Sequence, residues 1–105
     1  MNVTVRYSDE AQSDLQQIYS YYAACAGAEV AIRFSDRITA TFERLVRRHP
    51  AAGRRRPDLG PEIRALPVVP YVVFYTADAR RIRVVRILHG HRDIRPPLAS
   101  LLLAC

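Results

Sequence analysis

Two apolar runs dominate the second half of the chain. Tyr71–Thr76 and Ile82–Leu88 are dense in β-branched and aromatic residues, and a short polar turn holding Asp78 and Arg80 separates them. The pattern predicts a β-hairpin. The first run is apolar on both faces, which suits a central strand covered above and below. The second interleaves Arg81, Arg83 and Arg86 with Ile82, Val84, Val85, Ile87 and Leu88. Two-residue periodicity puts Arg86 on the face of Val84 and Leu88, where a buried arginine requires a carboxylate or backbone partner. This run ends in His89, Gly90, His91, Arg92 and Asp93, a cluster of ionisable groups at a strand exit.

Upstream, Asn2–Tyr7 alternates Val3, Val5 and Tyr7 with polar neighbours, as a half-buried strand does. Ser8 then stands as a helix N-cap, with Asp9 and Glu10 in the first turn where the helix dipole favours acids. Ala11, Leu15, Ile18, Tyr22 and Cys25 recur at helical spacing, and Gly27 is placed to end that helix. A second helix is predicted over Ala28–Arg48, with Ala31, Phe34, Ile38, Phe42 and Leu45 on one stripe and Pro50 as its stop. Ala51–Pro61 has no periodicity and reads as a basic loop; Glu62–Val68 reads as a strand.

The order is strand, helix, helix and three strands. It predicts an α+β fold in which an N-terminal strand and an α-helical hairpin pack on an antiparallel β-sheet. Residues 1–95 are expected to form one domain and 96–105 a short apolar tail. Pattern leaves open whether the first strand sits at a sheet edge or beside the last. Leu98, Leu101 and Leu102 of the tail would either fill a gap in the core or contact a partner.

Charge sharpens this picture. The chain of 105 residues carries a formal net charge of +6, and all of its basic residues are arginines. Residues 1–43 are net acidic, whereas residues 44–64 and 80–95 are each strongly basic. A basic surface of this kind favours an anionic partner, nucleic acid or acidic protein, although a merely solvated arginine face has the same composition. Cys25 and Cys105 are too few and too separated to define a disulfide framework or a metal site. Arg6 and Asp9 interrupt any hydrophobic start, and Leu101–Cys105 is far below the ~20 residues of a membrane span. A cytoplasmic protein without metal, cofactor or membrane partner is expected.

Three segments together resemble a known family. They are YSDEAQSDLQQIYSYY near the start, RLVRRHPAAGRRRPDLGPEIRALPV in mid-chain and PYVVFYTADARRIRVVRILHGHRD at the end. The motifs AxxDLxxIxxY, HPxxGRxRPxL, IRxLPVxPYVVFY and RILHGxRD occur in that order, within segments that reach from Tyr7 to Asp93. This combination resembles the RelE/ParE superfamily of toxins from type II toxin–antitoxin modules, and most closely its ParE-like branch. The resemblance implies the fold already derived. It also implies a cognate antitoxin, acidic and partly disordered, whose N-terminal part binds operator DNA, so that the toxin meets operator DNA only through it. ParE-like members resemble inhibitors of DNA gyrase that are not themselves enzymes. RelE-like members resemble ribosome-dependent mRNA endoribonucleases.

A metal-free nuclease needs a base, an acid and cations around the phosphorane. Here those roles would fall to Arg64, Arg86, His89 and His91, but the chain has no lysine and no tyrosine after the last strand. The gyrase-inhibitor expectation therefore leads. Under it, Arg54, Arg55, Arg56, Arg64, Arg83, Leu98, Leu101 and Leu102 are candidate contacts with the target or antitoxin. Arg86, His89 and Asp93 are then structural, and no residue is catalytic.

Overall fold

The computed structural model describes residues 3–90. The chain opens with β1 (Thr4–Tyr7) and continues into α1 (Asp9–Ala26). Ser8 caps the helix: its Oγ accepts from the Ala11 N–H at 3.0 Å and donates to the Val85 carbonyl at 2.9 Å. Gly27 separates α1 from α2 (Ala28–Arg48) with a φ of +94°, a backbone conformation that side chains disfavour. At the far end of α2, Arg47 and Arg48 complement the helix dipole and the His49 N–H closes on the Leu45 carbonyl at 3.0 Å.

Four strands follow: β2 (Arg54–Arg55), β3 (Arg64–Val68), β4 (Tyr71–Asp78) and β5 (Arg81–His89). They form one five-stranded sheet in the order β1-β5-β4-β3-β2. The last three strands pair antiparallel, as predicted; β2 also pairs antiparallel with β3, and β1 pairs parallel to β5. Both placements considered for the first strand are therefore met at once, because β1 is an edge strand beside the last strand. The basic loop contains the short strand β2, which the loop expectation did not include. Both arms of the hairpin run further than their apolar cores, leaving Ala79 and Arg80 as a two-residue turn.

The helical hairpin covers one face of the sheet. Ala11, Ile18, Ile38, Phe42 and Val46 from the helices meet Leu66, Val73, Tyr75, Ile82, Val84 and Ile87 from the strands. The register between β4 and β5 shifts at Phe74/Tyr75: Phe74 faces Arg86, and Tyr75 faces Val84. Val85 is thus the extra residue of a β-bulge. The bulge corrects the expectation that Arg86 shares a face with Val84. Val84 is fully buried against the helices, while Arg86 lies with Phe74 and Leu88 on the opposite face. The outer face of β4 is covered at Phe74, 8% exposed, by Leu59 and Ile63 of the mid-chain loop.

Candidate functional site

Both edges of the sheet are blunted against an added strand. On β1, the Val3 carbonyl accepts from the Arg47 guanidinium, and the Tyr7 carbonyl accepts from the Gln12 side chain at 3.0 Å. On β3, the stretch beyond β2 carries exposed Pro67, which has no N–H to offer.

On the open face of the sheet, opposite the helices, Leu59, Ile63, Phe74, Val85, Arg86 and Leu88 line an apolar hollow of about 180 Å³. Leu59 is 40% exposed at its rim. The loop that presents it is pinned from several sides. The buried Tyr75 hydroxyl accepts from the Gly53 N–H at 2.7 Å and donates to the Pro50 carbonyl at 2.9 Å. Burial pushes the Tyr75 phenol above its ordinary pKa. A Cβ on Gly53 would lie 2.7 Å from the Tyr75 ring, so this close approach admits only glycine. Arg64 donates to the Gly53 carbonyl at 2.9 Å. Arg56 holds Asp58 through two bonds of 3.0 and 2.8 Å, and this pairing lowers the Asp58 carboxyl pKa.

Arg86 closes one side of the hollow. Its Nε and Nη2 donate to the Asp14 carboxylate of α1 at 2.8 and 3.0 Å. The same carboxylate accepts from the Ile87 N–H at 2.9 Å. Beyond the end of β1, the edge of β5 is thus sealed by a helix side chain. The Asp14 bond raises the Arg86 pKa above its ordinary value, so the guanidinium is a fixed cation.

The candidates from sequence fall into distinct places. Arg54 and Arg55 are exposed on the loop, and Arg83 is exposed on the open face. Arg56 and Arg64 are half-buried, and both brace the loop as described. His89 is half-buried on the helix-facing side, its ring 5.3 Å from that of Tyr71 in edge-to-face contact. Arg64, Arg86 and His89 do not converge: Arg64 and His89 pair with Tyr75 and Tyr71 on the helix-facing side, and Arg86 lies on the other. His91, Asp93, Leu98, Leu101 and Leu102 lie outside the described residues. Asp14 and Gly53 were missed as site-forming residues. Asp14 carried a usable signal, because it interrupts the Ala11–Ile18 apolar stripe of α1 and is 6% exposed. Among the described residues no group of His, Cys, Asp and Glu could hold a metal ion, and no helix is long and apolar enough to cross a membrane.

Residues 5–94 match the family described as the ParE toxin of the type II toxin–antitoxin system parDE. The chain belongs to the ParE toxin family. Among relatives, Toxin ParE3 of Caulobacter vibrioides is 32% identical over 87 residues, covering 83% of this chain and 86% of the relative. Toxin ParE1 of the same organism is 30% identical over 93 residues, covering 89% and 95%. A solved chain from the chromosomal ParDE TA system from P. aeruginosa superimposes with a TM-score of 0.68 at 22% identity, covering 83% of this chain and 95% of that one. That likeness extends the shared fold, helical hairpin against one sheet face, to a distant sequence.

Proposed function

We propose that this ParE-family chain is a non-enzymatic toxin that inhibits DNA gyrase and is neutralised in the cytoplasm by a cognate antitoxin. The observation that carries the non-enzymatic reading is the dispersal of Arg64, Arg86 and His89 over two faces of the sheet, each engaged by the fold. General acid–base chemistry needs such groups around one reacting atom. The gyrase target follows from the ParE-like resemblance.

The antitoxin lies on the open face. An acidic, amphipathic segment would set an apolar side chain into the Leu59–Phe74–Leu88 hollow and its carboxylates beside Arg86, which lines it, and Arg54, which shares that face through its pairing with Ala65. Charge complementarity supports this occupant, since Arg86 places a cation at one side of an otherwise apolar hollow. A segment that orders only on contact suits a face this broad and shallow. The test is a supercoiling assay with purified toxin, gyrase, relaxed plasmid and ATP. Loss of supercoiling with gyrase-linked linear DNA, reversed by antitoxin, is expected. Unimpaired supercoiling alongside mRNA cleavage on ribosomes would overturn the proposal.

A further inference from the structure

The outer face of β5 carries a second feature on the other side of the Val85 bulge from the apolar hollow. In the parallel register of β1 and β5, Arg6 stands directly opposite Arg83, and Thr4 opposite Arg81. Like charges directly across two strands destabilise a sheet. Arg6, Arg81 and Arg83 are all exposed. Among the described residues the ion pairs join Arg47 to Glu43, Arg56 to Asp58 and Arg86 to Asp14, and none relieves these three. They line an open depression of about 910 Å³ together with Thr4 and Thr76.

Acidic groups reach the same depression. Asp78 faces Arg81 across the hairpin, and Asp9 and Glu10 enter from the first turn of α1. The helix dipole favours those two acids in place, and the field of Glu10 acts on Arg86. These three acids match Arg6, Arg81 and Arg83 in number, but among the described residues no ion pair joins the two sets, so Arg6 and Arg83 keep their guanidinium donors available to an anion. No large exposed apolar side chain lines the depression, so the anchor that an acidic peptide needs is missing there.

We propose that this depression binds the phosphate backbone of nucleic acid. Arg6 and Arg83 flank one phosphate, Arg81 takes a neighbour along the strand, and the Thr4 and Thr76 hydroxyls donate to phosphate oxygens. A phosphate between the opposed arginines turns their repulsion into attraction, and guanidinium forks match phosphate oxygens. Such contacts position a backbone without reading its sequence. The inference stands apart from the gyrase reading, because it concerns the toxin and nucleic acid alone.

The test is fluorescence anisotropy of a short labelled DNA duplex of random sequence, titrated with the purified chain over a range of salt. Each phosphate contact contributes about one to the slope of log K against log salt. The Arg6→Gln/Arg83→Gln double variant is expected to bind at least about tenfold more weakly, with a slope smaller by about two. Arg33→Gln/Arg37→Gln removes the same charge from exposed positions on α2 and is expected to keep the slope. The first variant should also melt at a higher temperature than wild type, which a misfolded protein cannot do. The proposal is overturned if wild type fails to bind at low salt or if both double variants lose slope equally. It is also overturned if the Arg6/Arg83 variant affects only binding of a polyglutamate peptide.

Discussion

Asp14→Ala would release the edge of β5 from α1. Asp14 is 6% exposed and accepts from the Arg86 Nε and Nη2 and from the Ile87 N–H. Removing the carboxylate leaves the buried Ile87 N–H without an acceptor, which costs about 1–3 kcal/mol. Arg86 also loses its partner, but its side chain is 45% exposed. Water takes over much of that role, and this part is worth about 1 kcal/mol or less. Together the loss is about 2–3 kcal/mol, or roughly 10–20 °C in Tm for a domain of this size. Asp14→Asn keeps a carbonyl oxygen for the Ile87 N–H and is expected to lose only about 1 kcal/mol. Urea unfolding of both variants, followed by circular dichroism, measures the difference. Asp14→Ala within about 0.5 kcal/mol of wild type would refute the fastening role, since that is the scatter of ordinary surface substitutions. Equal losses for the alanine and asparagine variants would instead place the effect in the arginine pair.

The remaining predictions concern the loop, alkaline stability and the apolar hollow. Tyr75→Phe leaves the Gly53 N–H and Pro50 carbonyl unpaired and should lose about 1–3 kcal/mol, with faster amide exchange at Gly53; an unchanged exchange rate would contradict the pin. Tyr7 and Tyr75 both have raised phenol pKa values, chiefly through burial, and Tyr7 also donates to Glu43 at 2.7 Å. A raised folded pKa gives stability that is full below the unfolded tyrosine value of about 10 and is lost as pH rises through the folded value. With no lysine titrating in that range, the urea midpoint should hold up to about pH 10 and then fall by an amount that Tyr7→Phe and Tyr75→Phe each reduce; a midpoint flat well above that pH would refute it. Leu59→Asp should weaken antitoxin binding by at least about tenfold in calorimetry while lowering Tm by only a few degrees, because the side chain is 40% exposed.

What could be read from sequence depended on how local its cause is. Ser8, Gly27 and Pro50 act on their own neighbours, and the helices begin and end where they predict. The hairpin is equally local and was equally legible. The two-residue strand β2 was not, since its pairing with Arg64 and Ala65 depends on Tyr75 and Arg64 drawing the loop onto the sheet. The parallel pairing of β1 with β5 was hidden for the same reason, because it joins chain segments far apart in sequence. For Arg86, a carboxylate or backbone partner was expected from burial on the face of Val84; the bulge places it instead on the open face, 45% exposed, and Asp14 reaches it there from 72 residues away. Arg54, Arg55 and Arg83 are as accessible as a contact role requires, whereas Arg56 and Arg64 brace the loop that presents their neighbours.

The bulge at Val85 explains why one strand can serve both the core and two different surfaces. Up to Val84, residues of β5 alternate strictly, with Ile82 and Val84 inward and Arg81 and Arg83 outward. Continued alternation would turn Arg86 into the helices and Ile87 out to solvent. The extra residue reverses the parity, so that Ile87 is 3% exposed in the core and Arg86 reaches the open face. The arginine spacing of two and then three residues, Arg81, Arg83 and Arg86, records the same event in sequence. On the outer face the bulge divides cationic from apolar ground: Arg83 and Arg81 lie toward Arg6, and Arg86 and Leu88 lie toward Leu59. Such a division lets an acidic segment seek the apolar side while a phosphate backbone seeks the other. Leu59→Asp and Arg6→Gln/Arg83→Gln should accordingly separate the two activities, each variant impairing one and sparing the other.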